Sequence, residues 1–309
     1  MSIAFTFPGQ GSQAVGMGAA LADASRSARD VFDEVDEALG QNLFRLMREG
    51  PDDELKLTEN AQPAIMAHSI AVLRTMGVRL ADLAQFIAGH SLGEYSALCA
   101  AGSFDLATTA KLLKLRGQAM QQAVPVGQGA MAALLGADLA LAQKIAEAAA
   151  QGEVCSVAND NDPSQVVISG HKGAIDRAIE MAKEMGAKRA VPLPVSAPFH
   201  CPLMQPAADA MQDALSYVVL EAPSVALFAN VTAQPETDPD TIRNQLVEQV
   251  TGMVRWRESV ANMADAGVHE FVEVGGKVLG SMVKRIVTDA QVTSAVTIED
   301  IEALAKEIA

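Results

Sequence analysis

The sequence predicts an α/β protein with a large domain around a mostly parallel sheet and a smaller βαββαβ lobe inserted into it. Three observations predict this fold. Short apolar runs alternate with stretches in which apolar residues have helical spacing, as in a parallel sheet covered by helices. Between residues 130 and 193 the rhythm changes to strand-helix-strand-strand-helix-strand, the ferredoxin-like order. Proline and glycine residues flank that segment on both sides.

The first part of the chain contains two predicted strands and four predicted helices. An apolar run at 2–7 is the first strand, and a second strand at 86–88 leads into a helix that ends near Ala101. Gly102 is suited to terminate that helix, and Asp105 is suited to cap the next one. The other helices are predicted at 25–39, 63–76 and 105–123.

The inserted lobe has four predicted strands and two predicted helices. The strands are 130–135, 154–158, 165–169 and 188–193, and the helices are 139–150 and 173–185. The turn-rich sequence NDNDPS is expected to join the second and third strands. The predicted domains are therefore residues 1–124 with 197–309, and residues 125–196 for the small lobe.

After the lobe, strands and helices alternate again. Strands are predicted at 225–230 and 270–274, and helices at 203–217, 240–250, 259–266 and 278–287. Because the alternation of strands and helices is the same before and after the inserted lobe, both outer segments are predicted to belong to one domain.

Composition excludes several classes of function. The formal charge of −15 makes nucleic acid an unfavourable partner. No apolar run reaches the ~18–20 residues of a membrane span, and the N-terminus lacks the features of a signal peptide. The three cysteines are odd in number and lack metal-ligand spacing, which favours a reducing cytoplasm and no metal site. A cytoplasmic monomer is the default expectation.

The sequence GHSLGEYSAL contains Ser91 in a G-x-S-x-G frame between a predicted strand and a predicted helix. Such a serine can be a nucleophile on a sharp turn, and Gly89 and Gly93 would allow the backbone to fold back. The N–H of Leu92, at the start of the helix, can point at an oxyanion. The alternative is that Ser91 only caps the helix.

A nucleophilic serine needs a base, and the chain has five histidines. His200 lies in SAPFHCP, a rigid loop at the point where the inserted lobe returns to the large domain. This position favours His200 over His269, which would suit a lipase-like order. His68 and His171 are expected to be structural or exposed, and His90 is expected to support the site.

Arg116 and the segment FPGQGSQ complete the candidate site. Arg116 lies on the apolar stripe of its helix, so a buried guanidinium is expected to need an anion. That anion can be an internal carboxylate, the default with 38 acidic residues, or the carboxylate of a substrate. FPGQGSQ matches no nucleotide-binding motif, but Gln10 can supply a backbone N–H to an oxyanion hole.

Seven segments together resemble the malonyl-CoA:acyl-carrier-protein transacylases of bacterial fatty acid synthesis. They span nearly the whole chain in the order of that family. The segments are FPGQGSQ, TENAQPA, GHSLGEYSAL, LRGQAMQ, QVVISG, LPVSAPFHCPLM and EVGGKVL. The resemblance implies a hydrolase-like α/β domain, a ferredoxin-like lobe and a site between them.

The resemblance also implies roles for individual residues. Ser91 would be the nucleophile, His200 the base, and Arg116 the clamp for the malonyl carboxylate. The amides of Gln10 and Leu92 would form the oxyanion hole. Two further residues are implied, namely Gln249, near the backbone carbonyl that orients the histidine, and Asn159, lining the cleft.

The substrates implied by the resemblance are malonyl-CoA and the phosphopantetheine arm of acyl carrier protein, which would bind transiently. No bound cofactor is expected. Because the carrier is acidic, a local basic patch is expected near the cleft, with the pairs Lys188–Arg189 and Lys284–Arg285 as candidates. The sequence departs from the family pattern V-G-P-G-K at Gly275-Gly276, where one residue is missing.

Three alternatives to this reading are a serine esterase, the same chemistry in another pathway, and a catalytically silent carrier-binding protein. An esterase would need a carboxylate between the serine and the histidine, with His269 as base. The same chemistry in another pathway would be a trans-acting polyketide acyltransferase or a malonate-decarboxylase subunit. Intact Ser91, His200 and Arg116 argue against the silent protein.

Overall fold

The computed structural model describes residues 2–308, which form two sheets and fifteen α-helices within that range. The strands are β1 (Ile3–Phe7), β2 (Ala84–Gly89), β3 (Gly129–Leu135), β4 (Cys155–Asp162), β5 (Gln165–His171), β6 (Arg189–Pro192), β7 (Leu227–Phe228), β8 (Pro235–Glu236), β9 (Glu270–Val274) and β10 (Gln291–Ala295).

The α-helices are α1 (Ala19–Ala24), α2 (Arg26–Leu39), α3 (Leu43–Glu49), α4 (Asp52–Leu55), α5 (Thr58–Met76), α6 (Leu80–Leu83), α7 (Gly93–Ala100), α8 (Leu106–Gln122), α9 (Leu139–Ala150), α10 (Lys172–Ala182), α11 (Gln205–Ser216), α12 (Pro239–Thr251), α13 (Trp256–Asp265), α14 (Leu279–Ile286) and α15 (Ile298–Ile308). A 3₁₀ turn, Pro202–Met204, precedes α11. None of the helices within residues 2–308 combines the length and apolar character that crossing a membrane requires.

The large sheet has the strand order β10-β9-β1-β2-β7-β8, and only β8 runs antiparallel to its neighbour. Alternate residues of β1 enter two different cores, since Phe5 and Phe7 pack in one and Ala4 packs in the other. Both faces of the sheet are therefore covered, as its short apolar strands predict. The prediction of a mostly parallel sheet is confirmed.

The small sheet is antiparallel, with the order β4-β5-β3-β6. Its four strands are joined in the sequence β3-α9-β4-β5-α10-β6, which confirms the ferredoxin-like arrangement. Leu134 of β3 packs in the core of this lobe, whereas Met131 and Ala133 face the main core. The domain boundaries at 124/125 and 196/197 stay predictions.

Several predicted elements differ from the structure. The sequence NDNDPS does not form a turn throughout, because its first four residues continue β4. Helix α5 begins at Thr58, not at Pro63, which lies inside it. The strand predicted at 225–230 is reduced to β7. The elements that the sequence analysis missed are α1, α3, α4, α6, β8, β10 and α15.

Candidate active site

Ser91 lies at a sharp turn between β2 and α7, at the carboxyl end of the large sheet. Its φ of 55° puts a non-glycine residue in the left-handed region, a strain of about 1–3 kcal/mol that is typical of functional sites. Gly89 and Gly93 allow the turn. A Cβ at Gly89 would lie 1.9 Å from the carbonyl carbon of Gly93, and one at Gly93 would lie 2.3 Å from the oxygen of Phe7. The structure therefore has the close strand-to-helix turn that the motif predicts.

His200 contacts Ser91 from the loop between the small lobe and α11. It also has a positive φ, 56°, in a segment flanked by Pro198 and Pro202. Its Nε2 accepts a hydrogen bond from Ser91 Oγ at 2.8 Å, and its Nδ1 donates to the backbone oxygen of Gln249 at 2.8 Å. The carbonyl thus fixes the tautomer that leaves Nε2 free to accept a proton.

The electrostatic surroundings keep His200 neutral. Burial, together with the nearby Arg116 guanidinium, lowers the pKa of His200 to about 3. The imidazole is 4% exposed. A neutral imidazole with its acceptor nitrogen on a hydroxyl is the arrangement that a general base requires.

Arg116 is buried on α8, with a relative exposure of 1%. Its Nη1 donates to Gln62 Oε1 at 2.8 Å, and its Nη2 donates to Gln249 Oε1 at 2.8 Å and to Ser91 Oγ at 3.2 Å. Gly117 makes this close packing possible, because a Cβ there would lie 2.5 Å from the Cα of Glu59 on α5. The partners of the guanidinium are neutral.

The internal salt bridge that the sequence left open for Arg116 is absent among residues 2–308. The guanidinium carbon also lies 5.7 Å from the centre of the Tyr95 ring, a cation–π distance. Burial lowers the pKa of Arg116 from its usual value, although a guanidinium stays charged at neutral pH. A positive charge therefore stands beside the Ser91 hydroxyl without a carboxylate in direct contact.

A cavity of about 380 Å³ opens above this cluster, between the two lobes. Gln10, Leu92 and Asn159 line it together with Ser91 and Arg116. Apolar side chains form part of the remaining wall, namely Met120, Met131, Leu193, Val195 and Phe199. The cavity has the mixture of apolar lining and few convergent polar groups that is typical of a small-molecule site.

The predicted oxyanion donors, the backbone amides of Gln10 and Leu92, belong to residues that line this cavity. In the described part of the chain neither amide has a backbone acceptor outside regular helices and strands. The N–H of Ser91 itself is engaged, because it donates to Asn230 Oδ1 at 2.8 Å. The amide after the serine is therefore better suited to bind an oxyanion than the amide of the serine.

The other histidines lie away from the Ser91 hydroxyl or have other partners. His90 Nε2 pairs with Asn161 Oδ1 at 2.8 Å, which supports the wall between the lobes. His269 is exposed and precedes β9, so it lies at the opposite end of the parallel sheet. His171 and His68 have backbone partners in other regions. The esterase alternative with His269 as base therefore has no geometric support.

The two candidate basic pairs differ in their surroundings. Arg189 begins β6 and pairs with Leu135, at the end of the strand far from the cavity-lining Leu193. Arg285 is an ion-pair partner, since its Nε lies 2.8 Å from the buried Asp162 carboxylate. Its neighbour Lys284 is exposed. Arg285 therefore has a structural partner, and the prediction that either pair is a docking patch stays a prediction.

The shortened turn at Gly275-Gly276 is accommodated locally. Gly275 has a φ of 84°, and a Cβ there would lie 2.4 Å from Ser69 Oγ. The turn is followed by α14, whose first amides donate to the Glu273 carboxylate. The missing residue therefore leaves a tight glycine turn, in which a Cβ at Gly276 would lie 2.8 Å from Pro8 Cγ.

Sequence reasoning missed three residues of this cluster: Gln62, Glu94 and Asn230. Gln62 and Glu94 lie in the segments TENAQPA and GHSLGEYSAL, where each is a polar residue in an otherwise buried stretch of helix. That contrast was the available signal. The sequence signal for Asn230 is weaker, because this residue stands alone in the loop after a two-residue strand.

Three comparisons with known proteins find similar chains. A model of the acyl transferase domain family matches residues 4–298. The malonyl CoA-acyl carrier protein transacylase of Escherichia coli strain K12 is 47% identical over 285 residues, which cover 92% of each chain. The crystal structure of an acyl-carrier-protein-S-malonyltransferase from Bartonella henselae is 52% identical, with a TM-score of 0.97, and covers 100% of this chain and 99% of its own. A malonyl-transacylase solved in complex with its type II PKS acyl-carrier protein is 39% identical, with a TM-score of 0.96, and covers 99% of this chain and 100% of its own.

Proposed function

This chain belongs to the acyl transferase family, and we propose from its active site how it transfers a malonyl group from malonyl-CoA to acyl carrier protein. Transfer between these two substrates follows from its close relatives, which are named for that reaction. The mechanism rests on one observation, namely that the Ser91 hydroxyl contacts both His200 and Arg116. Ser91 Oγ lies 2.8 Å from His200 Nε2 and 3.2 Å from Arg116 Nη2.

In the first half-reaction, Ser91 Oγ attacks the thioester carbonyl of malonyl-CoA while His200 Nε2 takes the hydroxyl proton. The carbonyl oxygen becomes an oxyanion that the amides of Gln10 and Leu92 bind, a contribution of about 3–4 kcal/mol per donor. The C–S bond then breaks, and His200 returns the proton to the CoA sulfur. The product is a malonyl ester of Ser91.

In the second half-reaction, the phosphopantetheine thiol of the carrier protein replaces CoA. His200 takes the thiol proton, the sulfur attacks the ester carbonyl, and the C–O bond to Ser91 breaks. The proton on His200 returns to Ser91 Oγ, so the enzyme is regenerated. This is ping-pong acyl transfer, with CoA released before the carrier reacts.

Selection of the malonyl group rests on Arg116. Its guanidinium has neutral amide partners and stands beside the nucleophile. The malonyl carboxylate, which one methylene group separates from the thioester carbonyl, can therefore pair with it. Acetyl-CoA lacks that carboxylate and would leave the buried charge without an anion. A polar group left unpaired by a substrate analogue gives strong discrimination.

The wider setting is also part of this proposal. We propose a cytoplasmic monomer that meets the carrier protein transiently, requires no bound cofactor and supplies malonyl units for fatty acid synthesis. The free cysteines Cys99, Cys155 and Cys201 suit a reducing compartment. The formal charge of −15 disfavours nucleic acid and requires a local basic surface for an acidic carrier.

The test is intact-protein mass spectrometry after mixing the enzyme with malonyl-CoA, in parallel with acetyl-CoA and with the Ser91→Ala variant. We expect a malonyl adduct on the wild type alone, which holo acyl carrier protein then discharges. No adduct on the wild type, or an equal adduct on Ser91→Ala, would contradict the proposed nucleophile.

A further inference from the structure

Glu94 is a buried carboxylic acid that the mechanism above does not use. It lies on α7, one turn after Ser91, and its relative exposure is 1%. Burying a carboxylate is costly unless hydrogen bonds and a nearby positive charge compensate. Because Glu94 lies three residues from the nucleophile, we expect its burial to have a functional reason.

Both oxygens of Glu94 accept hydrogen bonds from residues that hold the active site. Oε1 accepts from the backbone N–H of Asn230 at 2.8 Å, and Oε2 accepts from Gln249 Nε2. Asn230 in turn binds two backbone groups of the sharp turn at Ser91. Its Oδ1 accepts from the Ser91 N–H at 2.8 Å, and its Nδ2 donates to the Gly89 oxygen at 2.7 Å.

Gln249 connects Glu94 to the base and to the guanidinium. Its backbone oxygen accepts from His200 Nδ1, and its side-chain Oε1 accepts from Arg116 Nη2, each at 2.8 Å. Its Nε2 also donates to the Ser91 oxygen at 3.0 Å. The Glu94 carboxylate is therefore connected to the nucleophile, the base and the guanidinium, in each case through one intervening hydrogen-bonded residue.

We propose that Glu94 is a positioning residue that orients Gln249 and Asn230, and that it serves as the relayed counter-charge of Arg116. The inference rests on the proposed function, because it assigns Glu94 to the same reaction. Through Gln249, the negative charge stabilises the buried guanidinium without occupying the position that a substrate carboxylate needs.

The Gln249 side chain points its oxygen at Arg116 and its NH₂ group at Glu94, which explains why Glu94 must be ionised. The two groups that face the Glu94 oxygens are donors, so an ionised carboxylate satisfies both of them. A protonated acid, or an amide in its place, would present a donor to one of them. Gln249 would then turn its amide and present NH₂ to Arg116, which is also a donor.

The ionisation of Glu94 gives this role a measurable signature. Burial raises the pKa of Glu94 to about 7, while the Asn230 and Gln249 hydrogen bonds and the Arg116 charge act in the opposite direction. Arg116 of α8 and Tyr95 of α7 are the charged and titratable groups that interact with it, and His200 lies beyond Gln249. Activity that needs the ionised form rises with pH through about 7.

The experiment measures kcat/KM for acylation by malonyl-CoA as a function of pH, by quenched-flow intact mass spectrometry. This half-reaction requires no incoming thiol to ionise, and the pKa of His200 lies near 3. In the wild type we expect a rise with an apparent pKa near 7. In Glu94→Gln we expect that rise to vanish and the plateau to fall about 10- to 100-fold, the effect of losing one charge-assisted hydrogen bond.

Two further variants separate positioning from general destabilisation. Glu94→Asp retains the charge, so it should retain the pH dependence with a partly reduced plateau. Glu273→Gln removes another buried carboxylate, 1% exposed, which binds the first amides of α14. This control should lower the thermal midpoint and keep both the plateau and the pH dependence of the folded enzyme.

The outcomes separate this inference from the proposed function. If the wild type forms no malonyl adduct, the proposed function is overturned. If the wild type is acylated and Glu94→Gln has the same pH profile, only the role of Glu94 is overturned. If Glu94→Gln does not fold, the wild-type profile decides. An apparent pKa independent of temperature is expected for a carboxyl group, and one that falls on warming, as imidazole does, would contradict the inference.

Discussion

Two regions of this molecule bury charge in opposite ways. At the interlobe seam, defined here as Asp160 and Asp162 of β4 with Arg257 and Arg285, each buried carboxylate has its own guanidinium. Both pairs have a nitrogen-oxygen distance of 2.8 Å, and the two carboxylates are 1% and 0% exposed. In the active site the buried group is the guanidinium of Arg116, and its partners are neutral amides and a hydroxyl.

The difference distinguishes charges that hold the two lobes together from the charge that we propose binds the substrate. Leaving a buried ion without a partner is costly, so the seam pairs hold β4 against α13 and α14. Arg116 instead interacts with the Glu94 carboxylate at a distance, because the Gln249 side chain lies between them. A guanidinium kept charged, oriented and free of direct ion pairing is suited to bind the carboxylate of a substrate.

The largest expected effect follows from removing the active-site charge. Arg116→Ala should lower kcat/KM for malonyl-CoA by about 10²- to 10³-fold, the cost of truncating one partner of a buried charge pair. Transfer of an acetyl group, which has no carboxylate, should fall much less or rise. Steady-state kinetics with both thioesters checks the ratio, and a variant that still strongly prefers malonyl-CoA would contradict the role of Arg116.

A smaller effect, on stability rather than selectivity, is expected at the seam. Arg285→Ala removes the guanidinium that pairs with the buried Asp162 carboxylate, so the free energy of unfolding should fall by about 1–3 kcal/mol. The preference for malonyl-CoA should stay that of the wild type. Denaturant unfolding measures the first quantity, and competition between the two thioesters measures the second.

The neighbouring residue provides the control for that variant. Lys284 is exposed on the same helix, and its replacement by Ala should change the free energy of unfolding by no more than about 0.5 kcal/mol. Equal losses for Arg285→Ala and Lys284→Ala would mean that the seam pair adds nothing specific. A change of acyl preference in Arg285→Ala would remove the distinction between the two regions.

Local sequence signals predicted the parts of the fold that short-range chemistry determines. Asp105 caps α8 as expected, with its carboxylate accepting from the Thr108 N–H. The strand Glu270–Val274 and the helix Leu139–Ala150 have the predicted bounds. Gly89 and Gly93 indicated the sharp turn at Ser91 because a Cβ at either position would collide with backbone atoms. The positions of Ser91 and Arg116 relative to this local structure could therefore be predicted.

Tertiary contacts determined what the sequence did not predict. NDND is typical of a turn, but its aspartates continue β4 because arginines from α13 and α14 compensate their burial. Strand β10 was missed because it is a half-polar edge strand, QVTSA. Asn230 was missed because its role arises from contacts with Ser91, far away in sequence.

The most direct test of the central claim is to give Arg116 the ion pair that it lacks. Gln62 Oε1 already accepts from Arg116 Nη1 at 2.8 Å, and its Nε2 donates to Met120 Sδ at 3.7 Å. Gln62→Glu therefore introduces a carboxylate with little change of shape. Mass spectrometry of the acyl-enzyme after mixing with equal concentrations of malonyl-CoA and acetyl-CoA should show a malonyl-to-acetyl ratio at least about 10-fold below wild type, as expected when one good charge pair is already satisfied. An unchanged ratio in a folded variant would contradict the claim that Arg116 is kept unpaired for the substrate.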